Sequence, residues 1–175
     1  MSEVIARPRF GRAITRVMIA AVAAWLPGVA SLAEEPHRPL DLTSFPRTTL
    51  EISHRGGEHA PHKYAFEVWV ADTPDRAEQG LMFVRDLPET MGMVFPVEPP
   101  RIENMWMKNT YIELDMLFIA GDGRVTKIIA NAVPMSLQIL SSDTPVAAVL
   151  ELRGGQAAKL GLRVGDSVAW KKPAQ

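Results

Sequence analysis

Alternation of apolar and polar positions is clearest in Tyr64-Ala65-Phe66-Glu67-Val68-Trp69-Val70, where Tyr64, Phe66, Val68 and Val70 share one face of an extended chain. A half-buried β-strand requires that pattern. Thr48–Ile52 has the make-up of a possible first strand before it. Met91–Phe95, Arg101–Met107, Asp115–Ala120, Arg124–Ala130, Val146–Leu152 and Ser167–Trp170 read as further strands, with Pro96, Pro99 and Pro100 splitting the first two of these. Gly121-Asp122-Gly123 is turn chemistry and makes a hairpin of the strands on either side. Two short helices fit between. One is capped by Asp72 or Thr73, has Pro74 in its first turn and ends near Gly80 or Met82. The other opens at Gly154-Gly155, runs through Leu160 and is stopped by Gly161. Most connections are short or turn-like. The expected fold is therefore mostly β (β-rich α+β): a compact single-domain antiparallel β-barrel-like fold with two short helices.

The first thirty-three residues follow a different pattern. Arg7, Arg9, Arg12 and Arg16 precede an apolar run from Val17 to Leu26, and Ser31-Leu32-Ala33 places small residues where a signal peptidase reads. Charge, length and cleavage chemistry are those of a secretory signal peptide over 1–33; the alternative is a retained N-terminal anchor. The apolar run is short of the ~20 residues a membrane span needs, so no stable span is expected after cleavage. Residues 34–62 are expected to be a flexible lead-in holding the possible first strand, and 63–172 the β-rich domain. The expected location is periplasmic or secreted. Removing 1–33 takes away four arginines and one glutamate: Lys plus Arg falls from 19 to 15, Asp plus Glu from 20 to 19, and net charge from −1 to −4. A mildly acidic chain without a basic run argues against nucleic acid as a partner. The chain has no cysteine, which excludes disulfides, thiolate metal sites and cysteine nucleophiles. His54, His59 and His62 share one polar loop, read as solvated rather than metal-binding.

Chemistry concentrates between Gly80 and Asp115, where apolar residues sit directly beside amides and charges. An unpaired buried polar group costs roughly 1–3 kcal/mol, so such residues face each other or a ligand. Lys108 and Asn109 close one strand and Asp115 begins the next, with Arg85 just after the first helix. Arg85, Trp106, Lys108, Asn109 and Asp115 are expected to meet at one barrel rim as a site for a small polar or anionic ligand or an envelope protein. The alternative is a structural network, with Asn109 holding a turn and Asp115 pairing with Lys108 or Arg85. Asp115 and Glu151 are the candidate catalytic pair for a hydrolase or lyase acting on cell-envelope carbohydrate. Glu151 points away from Leu150 and Leu152, which leaves water as its plain destination.

The ordered motifs Gly80-Leu81-Met82, Gly92-Met93-Val94-Phe95, Trp106-Met107-Lys108-Asn109-Thr110, Leu114-Asp115, Gly123-Arg124-Val125, Val149-Leu150-Glu151-Leu152, Gly154-Gly155 and Val164-Gly165-Asp166 resemble the uncharacterised family DUF192 over residues 64–170. The resemblance implies a small β-rich domain, usually exported, and no assigned reaction. Glu113 stands where the family often has proline. Ala158–Asp166 looks like a PDZ helix-to-strand turn, but the PDZ carboxylate-binding loop is absent.

Met91 with Met93, and Met105 with Met107, form two i, i+2 pairs able to present thioethers together, as Cu(I) prefers. Against this, methionine is a common core filler, and the family pattern depends on Met93 and Met107 more than on Met91 and Met105. No Ser-His-Asp triad, Walker loop, dinucleotide fingerprint or His-Glu-x-x-His is present, and no cofactor is expected. Three readings stand: a binding or accessory module, an envelope carbohydrate enzyme, and a Cu(I)-binding module.

Overall fold

The computed structural model describes residues 39–54 and 62–171. The signal-peptide reading of 1–33 and His59 lie outside these. Nine strands are present among the described residues: β1 (Arg47–Ser53), β2 (Lys63–Val70), β3 (Met91–Arg101), β4 (Asn104–Met105), β5 (Leu114–Ile119), β6 (Val125–Ala132), β7 (Leu140–Ser141), β8 (Val146–Arg153) and β9 (Ser167–Trp170). The helices are α1 (Pro74–Gln79) and α2 (Gln156–Leu160). Seven strands form one sheet in the order β6-β5-β8-β3-β2-β1-β9, and β4 pairs with β7 in a separate ribbon.

The protein is mostly β with two short helices, but the barrel expectation is corrected. The sheet has two ends, β6 and β9, and no ladder joins them. They meet at a single bridge, Arg124 to Ser167. β9 is only four residues long and spends its other edge on β1. Purely antiparallel pairing is corrected as well, because β2 and β3 run parallel from Glu67↔Met91 to Val70↔Val94. A parallel pair needs a long crossover. Residues 71–90, which contain α1, supply it. Thr73 accepts from Arg76 N–H to cap α1 (3.3 Å), with Pro74 at its first position.

β3 runs through Pro96, Pro99 and Pro100, where the sequence predicted a break. β2 covers β3 only as far as Val94, so the prolines sit where one edge needs no N–H donor. On the other edge the register to β8 shifts between Pro96 and Arg101. β1 is an interior strand between β2 and β9, so the sheet already begins within the segment expected to be flexible.

Both faces of the sheet are covered by apolar side chains. Leu50, Ile52, Phe66, Val68, Leu117, Leu150 and Val168 build one core, closed by Ala157 and Leu162 at α2. Trp69, Met93, Phe95, Met116, Phe118 and Val149 build the other, closed by Phe45, Leu81, Leu87 and Met107. Gly92 is required where β3 pairs with β8: a Cβ there would lie 2.5 Å from the Glu151 carbonyl oxygen.

Candidate functional site

The turn Met107–Thr110 is the hub of the motif-rich segment. Thr110 N–H donates to Met107 C=O (3.1 Å), and Asn109 takes φ 55°, a left-handed conformation that asparagine tolerates. Side chains alternate through it. Trp106 and Lys108 are exposed, Met107 and Thr110 buried, and Asn109 half-buried. The backbone of this turn holds two neighbouring loops. Asn109 C=O accepts from Phe83 N–H (2.9 Å), Thr110 C=O accepts from Met135 N–H (3.0 Å), and Met107 N–H donates to Ser136 C=O (3.0 Å). Phe83 and Met135 are themselves left-handed, at φ 67° and 59°. Three non-glycine residues in a sparsely populated region thus meet in one place, as strained backbones do at working surfaces.

Two cation–aromatic pairs stand on this surface. Lys108 Nζ lies 4.9 Å from the centre of the Trp106 ring, and the Arg85 guanidinium 4.9 Å from that of Tyr111. Phe83 meets Tyr111 edge-on at 6.3 Å. Among the described residues neither Lys108 nor Arg85 has a carboxylate partner. Beside Arg85 opens a cleft of about 320 Å³, lined also by Asp86, Leu87, Ile112, Glu113, Arg153 and Gly154. Arg153 donates to Asp86 (3.4 Å) and to Leu87 C=O (3.3 Å) across its floor.

Asp115 does not join this group. It is fully buried, and its carboxylate accepts from three backbone N–H groups: Asn131 (2.8 Å), Gly155 (3.1 Å) and Ala157 (2.7 Å). It ties β5 to β6 and to the start of α2, and pairs with neither Lys108 nor Arg85. Glu151 is also buried, not in water as its alternation allowed. It stands opposite Met93 on β3 and Met116 on β5, in the second core, and one carboxyl oxygen has no partner. Desolvation pushes its pKa up to about 8. Asp115 stands opposite Leu152, on the face of the first core. The sheet therefore separates Asp115 from Glu151, and they do not flank a common cleft.

Met93 and Met107 are fully buried in the second core, and Met91 and Met105 pack against it as filler. His54 is not loosely solvated. Its Nδ1 lies 3.0 Å from buried Asp166 and its Nε2 3.3 Å from Leu160 C=O, so the ring bridges the two segments. His62 is exposed.

The sequence profile of DUF192, described as an uncharacterized ACR, matches residues 57–170. The chain belongs to the DUF192 family. Among solved structures, this DUF192 chain is similar to a proposed transcription regulator from Sinorhizobium meliloti 1021, at 40% identity and a TM-score of 0.69, covering 73% of this chain and 95% of that one. It is also similar to a protein of unknown function from Novosphingobium aromaticivorans DSM 12444, at 38% identity and a TM-score of 0.65, covering 70% and 84% of the two chains. No curated protein gives a significant match. Within the DUF192 motifs, Gly92, Asn109, Asp115 and Gly154-Gly155 carry structural duties, whereas Trp106 and Lys108 face outward. Sequence reasoning passed over Phe83, Tyr111, Arg153 and the segment Val133–Ile139. Tyr111 adjoins the Trp106–Thr110 motif and was open to notice; Arg153 joins the cleft only through the sheet.

Proposed function

We propose that this protein is an exported binding module of the cell envelope that takes a small anionic ligand in the cleft beside Arg85. The observation carrying the reading is the Arg85 guanidinium, held over the Tyr111 ring at 4.9 Å and without a carboxylate partner among the described residues, at a cleft of about 320 Å³. A guanidinium so fixed loses little freedom on accepting a carboxylate or phosphate in two-point fashion. Leu87 and Ile112 give the ligand an apolar wall, while Glu113 and Asp86 reject a second negative group placed near them. Export is supported by the basic residues Arg7 to Arg16, the apolar run Val17–Leu26 and the small residues at Ser31-Leu32-Ala33. A nucleic-acid role, which the name of one relative raises, has weaker support, because Arg47, Arg76, Arg101, Arg124, Lys127, Arg153 and Lys159 are all matched with carboxylates.

The test is thermal unfolding of the protein against inorganic phosphate, sugar phosphates and small carboxylates. At least one anion should raise the unfolding midpoint in a saturable way, and Arg85→Ala should abolish the rise. No response to any of these anions, or an undiminished response in the variant, refutes the cleft as the binding site.

A further inference from the structure

Val133, Met135, Leu137 and Ile139 occur at every second position, and they are exposed by 67, 52, 68 and 58%. Trp106, on the neighbouring segment, is exposed by 40%. Between Lys127 and Asp143 no residue carries a charge. An apolar row of this extent is unusual on the surface of a water-soluble domain and marks an interaction site. Side chains exposed by half or more project outward instead of lining a groove, so the partner must close around them. The cation on the adjoining turn is Lys108, which lies against Trp106 and has no carboxylate partner among the described residues.

We propose that this ridge docks the protein on an anionic lipid bilayer, with Val133, Met135, Leu137 and Ile139 entering the boundary between headgroups and acyl chains. A fluid acyl layer fills in around projecting aliphatic side chains without needing a matching cavity. Trp106 then lies at headgroup depth, where an indole is favoured, and the Lys108 ammonium meets lipid phosphate. The charge pattern selects this occupant over a second copy of the chain. A two-fold contact through the ridge would bury the Lys108 turns of both copies in one interface, with no carboxylate on the ridge segment to relieve them. This inference goes beyond the anion cleft and stands or falls separately from it.

The absence of cysteine allows a direct test in the full chain. Leu137→Cys is labelled with a polarity-sensitive dye, and Val164→Cys, an exposed apolar position outside the ridge, serves as the reference. Vesicles of equimolar phosphatidylglycerol and phosphatidylcholine should shift the emission at Leu137 to the blue and leave Val164 unchanged. Comparing the two positions separates ridge insertion from attraction through the basic and apolar residues 7–26. Lys108→Glu should weaken the Leu137 response roughly tenfold, as should replacing the vesicles with phosphatidylcholine alone. Arg85 is left intact because it also lines the cleft, and near-ultraviolet dichroism confirms that each variant is folded. No shift at Leu137, equal shifts at both positions, or a shift that grows with protein concentration without vesicles would each overturn the proposal, the last in favour of self-association.

Discussion

Lys108 and Asp115 stand five and twelve residues after Glu103, in one tight motif, yet they obey different physics. Lys108 is exposed and touches the face of Trp106; Asp115 is buried and feeds three backbone N–H groups. Removing the first leaves no buried charge behind, whereas removing the second leaves three donors unsatisfied at once. Lys108→Met should therefore shift stability by less than ~1 kcal/mol. Asp115→Ala should cost about 3–5 kcal/mol, since each stranded donor is penalised and the start of α2 loses its cap. Urea unfolding of both variants decides this. A large loss for Lys108→Met would mean that the cation is part of the fold and would weaken the bilayer proposal, which relies on it.

At the scale of elements, the tight contact is between the end of β8 and the Ile112-Glu113 turn. Gly154 N–H donates to Glu113 C=O (2.8 Å), and a Cβ on Gly154 would lie 2.6 Å from that of Glu113. Gly154→Ala must push the turn outward, which should cost roughly 1–3 kcal/mol. Because the same turn walls the cleft, anion affinity should fall with it; unchanged urea unfolding would show that the turn yields freely. Such contacts explain how far the sequence could be read. Alternation in Tyr64–Val70 and the capping of α1 are local signals, and both elements formed as expected. The parallel pairing of β2 with β3 is a long-range choice that alternation does not encode. Asp115 was visible as an important acid, but its partners are backbone donors, which leave no residue-type signature. The Val133–Ile139 alternation reads as a strand pattern whose apolar side belongs inside. Its hydrogen bonds to Met107 and Thr110 put that side in solvent instead.

For the molecule as a whole, a sheet with apolar side chains on both faces ties the two cores into one cooperative body, and Glu151 lies within it. Its cross-strand neighbours Met93 and Met116 carry no charge, and its pKa is pushed from 4.5 up to about 8 by burial alone. The folded protein therefore keeps a proton on Glu151 that the unfolded chain releases above pH 4.5. Stability from this group is full below the unfolded value and declines as pH rises, until the folded form also ionises near pH 8. The loss across that window is on the order of 5 kcal/mol. Glu151→Gln keeps the shape and the neutral form and removes the titration. Urea midpoints measured at pH 5 and pH 8 should fall with rising pH in the natural chain by more than in the Gln variant, the difference between them being the contribution of this one carboxyl. If the two proteins changed in parallel, Glu151 would have to be solvated or ion-paired, and the second core would be open to water.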